Sequence, residues 1–491
     1  MSAGLAVGLV PGATLIRAAA GRVVRTRART LKLGRECPTW AAVAIASGQH
    51  SERELADEAL DQRGYGGLKA LYGCLAYLRS HQLLGYSIAV GREPVATWIP
   101  DNDDGLDPQP HVRPPGAKRV ALSRFAYCRR DGNAFVLESP LAFGQLVLHG
   151  EHGEDAWRAL GQLNRPRALR DAIAKSPLPP NAMRQLLGLL WRHHFLVEPR
   201  DNGPDRLRQR RALDSWEFHD LLFHSRSRHG RHRNGYGARP QSSSTRRPDA
   251  PAPRPRQADI VRLPRPDLSR LRRDDAPFAV VLEDRRTRRV HDVSPMTIDE
   301  LGEFLYRTVR ARRRRTGGHD WKGLDRVAPT GGAAYELDTY LAIRRCRGLR
   351  PGLYRYDPLG HALWRRAGMT RDVHRLIASA GHAARTKPQV LIVLSARFGR
   401  TLRRYASMGY AMILKDAGVL LQTFYLAATA MGLAPCAIGG GDSDVFARAA
   451  RTTYYEETSV GEFLLGRSSR KSSMPLGVPK PVQGSQPRRR A

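Results

Sequence analysis

Residues 405–442 read YASMGYAMILKDAGVLLQTFYLAATAMGLAPCAIGGGD. From Tyr405 to Met431 nearly every position is apolar or small, which predicts one long helix that is apolar almost all round. A helix of that kind must be enclosed, either within a large core or in a subunit interface. Lys415, Asp416 and Gln422 interrupt the run and argue against a membrane span. Gly432-Leu433-Ala434-Pro435-Cys436-Ala437-Ile438-Gly439-Gly440-Gly441-Asp442 follows, a loop whose backbone can come close to a ligand.

Outward from this stretch, element types alternate. Val390 to Leu394 is an unbroken β-branched and aliphatic run, as expected of a strand buried on both faces. Glu336 to Ile343 and Gly352 to Tyr356 predict two more strands. Leu301 to Val309 predicts a helix, with Thr297 as N-cap and Glu300 as its capping-box partner. The pattern is that of an α+β domain over residues 276–467, followed by a polar, basic tail at 468–491.

Two earlier stretches, 1–100 and 116–200, share an order of strands, helices and a closing strand, and predict two small winged-helix-like units. In the first, Leu15-Ile16 and Val23-Val24 form a hairpin, Trp40 to Ala46 a helix, Ser51 caps a second helix, and Leu83 to Tyr86 is a strand. In the second, Phe135-Val136-Leu137 is a strand, and Leu141 to Leu148, Trp157 to Leu163 and the Met183–Leu190 face are helical. Then His193-His194 leads into the strand Phe195-Leu196-Val197. Proline-rich Asn102 to Pro115 links the two. Residues 201–275 hold a short helix, Trp216 to His224, suited to docking on a neighbour, and a basic flexible linker, Arg239 to Arg256.

Composition bounds the rest. The chain has 491 residues, enough for two to four domains, and 81 Lys+Arg against 46 Asp+Glu, a formal charge of +35. That excess admits an anionic partner or an arginine-rich solvated surface; with no recognition helix or stacking motif beside it, the second is favoured and nucleic acid is not expected. Cys37, Cys74, Cys128, Cys346 and Cys436 form no C-x-x-C pair. The expectation is therefore no metal site, no disulfide framework, and free thiols in a reducing cytoplasm.

Three short clusters carry chemistry. In Glu283-Asp284-Arg285-Arg286-Thr287-Arg288-Arg289, an extended backbone would point Arg285, Thr287 and Arg289 the same way, two guanidiniums and a hydroxyl for an anion. Pro329-Thr330-Gly331-Gly332 is a loop able to lie against a flat ring or a phosphate. The third is the loop containing Ile438, Gly439 and Gly440. Each alone is equally a turn or a solvated basic segment.

Their order and spacing resemble the nitroreductase superfamily, and more narrowly the SagB-type azoline dehydrogenases. Trp216-Glu217-Phe218-His219-Asp220-Leu221-Leu222-Phe223-His224, Pro351-Gly352-Leu353-Tyr354-Arg355-Tyr356-Asp357-Pro358 and Tyr454-Tyr455-Glu456-Glu457-Thr458-Ser459-Val460-Gly461-Glu462-Phe463 carry the narrower resemblance. It implies a three-layer α+β fold that homodimerises through the long helix, with FMN at the interface. Arg285, Arg286, Thr287 and Arg289 would meet the flavin, as would Thr330, Gly331 and Gly332, and Ile438, Gly439 and Gly440. Arg467 or Arg470 would supply a cation for the phosphate. It also implies oxidation of thiazoline or oxazoline rings in a ribosomal precursor peptide, beside a cyclodehydratase. Where such enzymes carry a catalytic Lys-Tyr pair, this chain has Arg404-Tyr405. An arginine practically never gives up its proton, so Tyr405 is the expected acid–base residue and Arg404 its electrostatic helper. An NAD(P)H-dependent nitro- or quinone reductase would present much the same flavin site. A winged-helix nucleic-acid binder with a flavin sensor domain is the remaining alternative.

Overall fold

A computed structural model describes residues 5–18, 21–26, 30–101, 119–198, 212–239, 256–314 and 324–469. The predicted linker at 102–115, most of the basic linker after Arg239, and the tail from 470 onward, Arg470 included, lie outside the described residues. The chain divides into two units, Met1–Gly235 and Tyr236–Ala491.

The second unit is built on a seven-stranded antiparallel sheet. Its strands run in the order Ile260–Arg262, Ala362–Ala367, Gly352–Asp357, Leu337–Ile343, Val390–Arg397, Glu457–Arg467, Leu433–Ile438. Every residue of Val390–Arg397 is buried, as its unbroken apolar run requires. Alternate residues serve opposite faces. Val390, Ile392 and Leu394 pack with Leu301, Phe304, Ile413 and Phe424 under the helices Ile298–Thr308 and Gly409–Ala430. Leu391 and Val393 pack with Val373, Leu376, Val445 and Phe446 under the helices Arg371–Gly381 and Ser443–Ala450. Helices on both faces of one sheet make the expected three layers. The Thr297 capping box forms as read: Thr297 Oγ1 accepts from Glu300 N at 3.2 Å, and Glu300 accepts from Thr297 N at 2.7 Å.

The long helix departs from expectation at its start. It begins at Gly409, not Tyr405. Tyr405–Ala406 is a short strand paired with Gly237–Ala238, and Ser407, at φ +60°, turns the chain before the helix. By length and composition this helix could cross a membrane. Instead Ile413, Ala417, Leu420, Phe424 and Ala428 bury against the sheet. The opposite face leaves Leu414, Gly418 and Val419 exposed, and Tyr410 is exposed at the helix start, so the sheet encloses only half of what the sequence says must be enclosed.

In the first unit the two predicted winged-helix-like stretches share one sheet. Its strands run Ala6–Leu9, Leu84–Val90, Glu93–Pro100, Gly144–Leu148, Ala134–Glu138, Tyr127–Asp131, and the join is Leu146 opposite Trp98. One hydrophobic core spans both stretches. The predicted hairpin forms in register, Leu15 opposite Val24 and Ile16 opposite Val23. The predicted helix Leu141–Leu148 does not: Gly144–Leu148 is a strand and the helix is Gly150–Gly161, because so short an apolar run has no period to separate the two. The repeat itself recurs in geometry. The helices Glu52–Ser80 and Pro180–Arg192 both exit through a left-handed residue, Gln82 (φ 55°) and His194 (φ 63°). Leu83 N then returns to Leu78 O and Phe195 N to Leu190 O, both at 2.9 Å.

One expectation about cysteine fails. Cys37 and Cys74 are joined in a disulfide across 37 residues, while Cys128, Cys346 and Cys436 are free. Spacing along the chain carried no sign of it, because the fold, not the sequence interval, brings the two residues together. The argument from five free thiols to a reducing compartment goes with it.

Candidate functional site

The first cluster leaves the helix Phe278–Asp284 and runs extended beside the sheet's edge strand Leu433–Ile438. Arg288 N donates to Pro435 O at 2.8 Å. Pro435 has no N–H to offer a further strand, which suits an edge. Thr287 Oγ1 lies 2.9 Å from Tyr425 Oη, and the same phenol accepts from Ala437 N at 2.9 Å. The Arg285 guanidinium sits over the Tyr425 ring, 5.5 Å from its centre. Tyr425, projecting from the long helix, thus binds the first cluster to the third. Gly439 and Gly440 follow directly, both exposed, with nothing within 4 Å of where a Cβ would stand. Among the described residues no carboxylate pairs with Arg285, Arg286 or Arg289, and Arg286 and Arg289 are exposed. Arg467 differs: its guanidinium is 3.6 Å from Glu300, so it is not an uncommitted cation.

The second cluster is held by the other end of the same helix. Gly331 N donates to both Asp416 carboxylate oxygens, at 3.1 and 2.9 Å. A Cβ on Gly331 would meet Met412 Cε at 2.1 Å. Gly332, at φ +58°, sits where a Cβ would meet Tyr405 Oη at 2.0 Å, and its carbonyl accepts from Arg404 at 3.0 Å. Thr330 Oγ1 accepts from Tyr335 N at 3.0 Å. Ala333 and Tyr335 are both left-handed without being glycine, a local strain of the kind that tertiary contacts must maintain. Tyr405, Arg404 and Thr330–Gly332 therefore form one constellation. Arg285, Thr287 and the start of the 438–440 loop form another. Asp416 and Tyr425 are nine residues apart on one helix, so the two constellations are separated by about 13 Å along its axis.

Behind the second cluster lies a buried charged group. Asp338 accepts from Arg355 at 2.9 Å and from Arg397 at 2.8 Å, with its side chain 5% exposed. Burial works against its charge, but Arg355, then Arg400, Arg397 and Arg326, outweigh it and hold the carboxyl well below the usual carboxylate range. Glu336, two residues earlier, is fully buried, and neither of its oxygens meets a donor. Burial, opposed by the Glu336 backbone N–H and by Arg326 and reinforced by the neighbouring Asp416 carboxyl and its charge, pushes its carboxyl up to about 7.

Sequence reading missed Tyr425, Asp416 and Glu336 as site residues. The one available sign was a charged or polar-tipped residue inside an apolar helix, which reads equally as a break in a membrane span.

Residues 282–466 match the family model described as the nitroreductase family, and residues 120–233 the one described as cyanobactin oxidase ThcOx. A Methanocaldococcus jannaschii protein named as a nitroreductase is 27% identical over 181 residues, which cover 37% of this chain and 85% of that protein. A solved structure from Ralstonia eutropha, also named as a nitroreductase, aligns at 23% identity and a TM-score of 0.36, over 45% of this chain and 96% of the other. The E. coli microcin synthetase McbBCD complex with truncated pro-MccB17 bound aligns at 21% identity and a TM-score of 0.32, over 38% of this chain and 70% of that one.

Proposed function

We propose, from the match of residues 282–466 to the nitroreductase family model, that the chain is an FMN-dependent dehydrogenase that oxidises thiazoline or oxazoline rings in a ribosomally made peptide. The observation that carries the peptide substrate is the cyanobactin-oxidase match at residues 120–233, on the same chain and including the Trp216–His224 helix region. A cyclodehydratase would supply the azoline ring, and the N-terminal unit is the natural place to hold the precursor.

The residues present fit a flavin mononucleotide. Arg286 and Arg289 offer exposed guanidiniums for a phosphate, beside Arg285, which lies over the Tyr425 ring and pairs with no carboxylate among the described residues. Gly439 and Gly440 offer bare backbone with open space beside it for a flat ring. When bound, the flavin supplies the two-electron acceptor, while the protein supplies position and electrostatics. Oxidation removes a hydride and a proton from the azoline ring. Tyr405 Oη, beside Gly332, takes the proton as its phenolate, or a water there does so. Arg404 works by gripping Gly332 O.

The separation of the two constellations along one helix supports a homodimer. If two copies pack their exposed helix faces, around Leu414, Gly418 and Val419, about a twofold axis, the N-terminal half of one helix lies against the C-terminal half of the other. The Thr330–Gly332 loop and Tyr405 of one copy then complete the Arg285–Thr287 and 438–440 half-site of its partner.

The test is to purify the chain, identify any yellow cofactor, and incubate it with a cyclised azoline peptide. A loss of two hydrogens per ring supports the reading. A colourless protein that FMN cannot reconstitute sinks it, and rapid flavin bleaching by NADPH without ring oxidation favours a reductase. Tyr405→Phe is expected to slow ring oxidation while leaving FMN bound; unchanged turnover removes Tyr405 as the acid–base residue.

A further inference from the structure

The mechanism above uses neither of the two buried carboxyls behind the Thr330–Gly332 loop. Asp416 reaches the loop directly, through Gly331 N. Glu336 ends the same loop, where the chain enters the strand Leu337–Ile343, and its carboxyl is fully buried without a donor to either oxygen. A carboxylate so placed cannot stay ionised cheaply next to a second one. The groups facing it are Asp416 from the long helix and Arg326 from the strand Leu324–Arg326. Arg397 on the next strand donates its backbone N–H to Glu336 O, and Arg400 donates to Tyr335 O. The Arg397 guanidinium pairs with Asp338 and Glu457.

We propose that Asp416 is the positioning residue of the Thr330–Gly332 loop, and that Glu336 keeps it in place by carrying the one proton the two carboxyls share. The proton leaves a single negative charge behind the Gly331 amide, which that amide satisfies. Losing it puts two charges in one buried space and pushes Asp416 off the loop. Gly331 and Gly332 then lose their register against Met412, Arg404 and Tyr405. The shift of the Glu336 carboxyl to about 7 agrees with this reading. That the loop faces a flavin rests on the function proposed above; that it is held by this carboxyl pair does not.

Two readouts keep these apart. Amide hydrogen exchange of the peptide covering residues 328–336 is measured on the full chain, with FMN affinity followed by flavin fluorescence. Asp416→Ala is expected to raise exchange in that peptide and to weaken FMN binding by about tenfold or more, the loss expected for one hydrogen bond to a charged group. In the wild type both properties worsen as pH rises through the range around 7. Glu336→Gln, which cannot ionise, flattens that pH dependence, whereas a merely structural Glu336 would leave the profile in place. If Asp416→Ala does not fold, the Glu336→Gln profile still decides. Unchanged exchange in Asp416→Ala, or identical pH profiles for wild type and Glu336→Gln, overturns the proposal. Failure of the wild type to bind FMN, with the exchange effects present, overturns the flavin reading alone.

Discussion

Replacing Tyr425 by Phe removes one oxygen and nothing else. The ring keeps its edge contact with Phe463, 5.3 Å between centres, and its place under the Arg285 guanidinium. Lost are the contact with Thr287 Oγ1 and the bond from Ala437 N, each 2.9 Å. A neutral hydrogen bond contributes about 1 kcal/mol net, and a part-buried amide left without a partner costs about 1–3 kcal/mol. The half-exposed Thr287 hydroxyl recovers most of its share from water. The expected loss is therefore about 2 kcal/mol, or about 4–8 °C in the melting temperature of a unit this size. Urea unfolding of the C-terminal unit measures it. Because the Tyr425 phenol ties the first cluster to the third beside the Arg288 N–Pro435 O bond, FMN affinity should fall in the same variant, even though no ligand-facing side chain has changed. A loss under about 0.5 kcal/mol with unchanged FMN affinity refutes the claim that this phenol assembles the half-site.

Gly332→Ala forces a side chain into a left-handed position, at about 1–2 kcal/mol, and sets its Cβ against Tyr405 Oη. FMN binding and ring oxidation should suffer more than the melting temperature, and equal losses would show that the loop is only structural. Asp338→Asn leaves Arg355 buried without its anion and Arg397 with Glu457 alone, 3.4 Å away, and should cost about 3–5 kcal/mol in urea unfolding. Since the folded state holds the Asp338 carboxyl below its unfolded value of 3.8, its contribution is fully present above that pH and is lost as pH falls from there to the lower folded value, so the variant's deficit should shrink on acidification below 3.8. In the N-terminal unit, His193 stacks on Trp98 at 3.8 Å; burial, then Arg192 and His194, push it down to about 3. It stays neutral when folded while the unfolded chain takes a proton below 6.5. Stability should therefore fall between about pH 6.5 and 3, by roughly 1–2 kcal/mol at pH 5, and His193→Gln should remove that slope.

Much of the fold was legible because it is local. The Thr297 capping box, the Leu15–Val24 hairpin, the buried strand at Val390 and the extended Arg285–Arg289 segment all depend on neighbours a few residues away. The same reading failed where the deciding partner is distant. Leu141–Leu148 is too short to show a period, and only its pairing with Glu93–Pro100 makes part of it a strand. The helix after Tyr405 starts late because Tyr405–Ala406 pairs instead with Gly237–Ala238, far back in the chain.

The long apolar helix marks the same division. Its existence, its need for enclosure and the glycine loop behind it follow from sequence alone, since periodicity and backbone freedom are properties of adjacent residues. Tertiary structure decided that only one face is enclosed, that Asp416 grips a loop 85 residues away, and that Tyr425 grips a segment 138 residues away. Those bonds join residues whose separation along the chain carries no information about their separation in space, so no pattern in the sequence could have announced them.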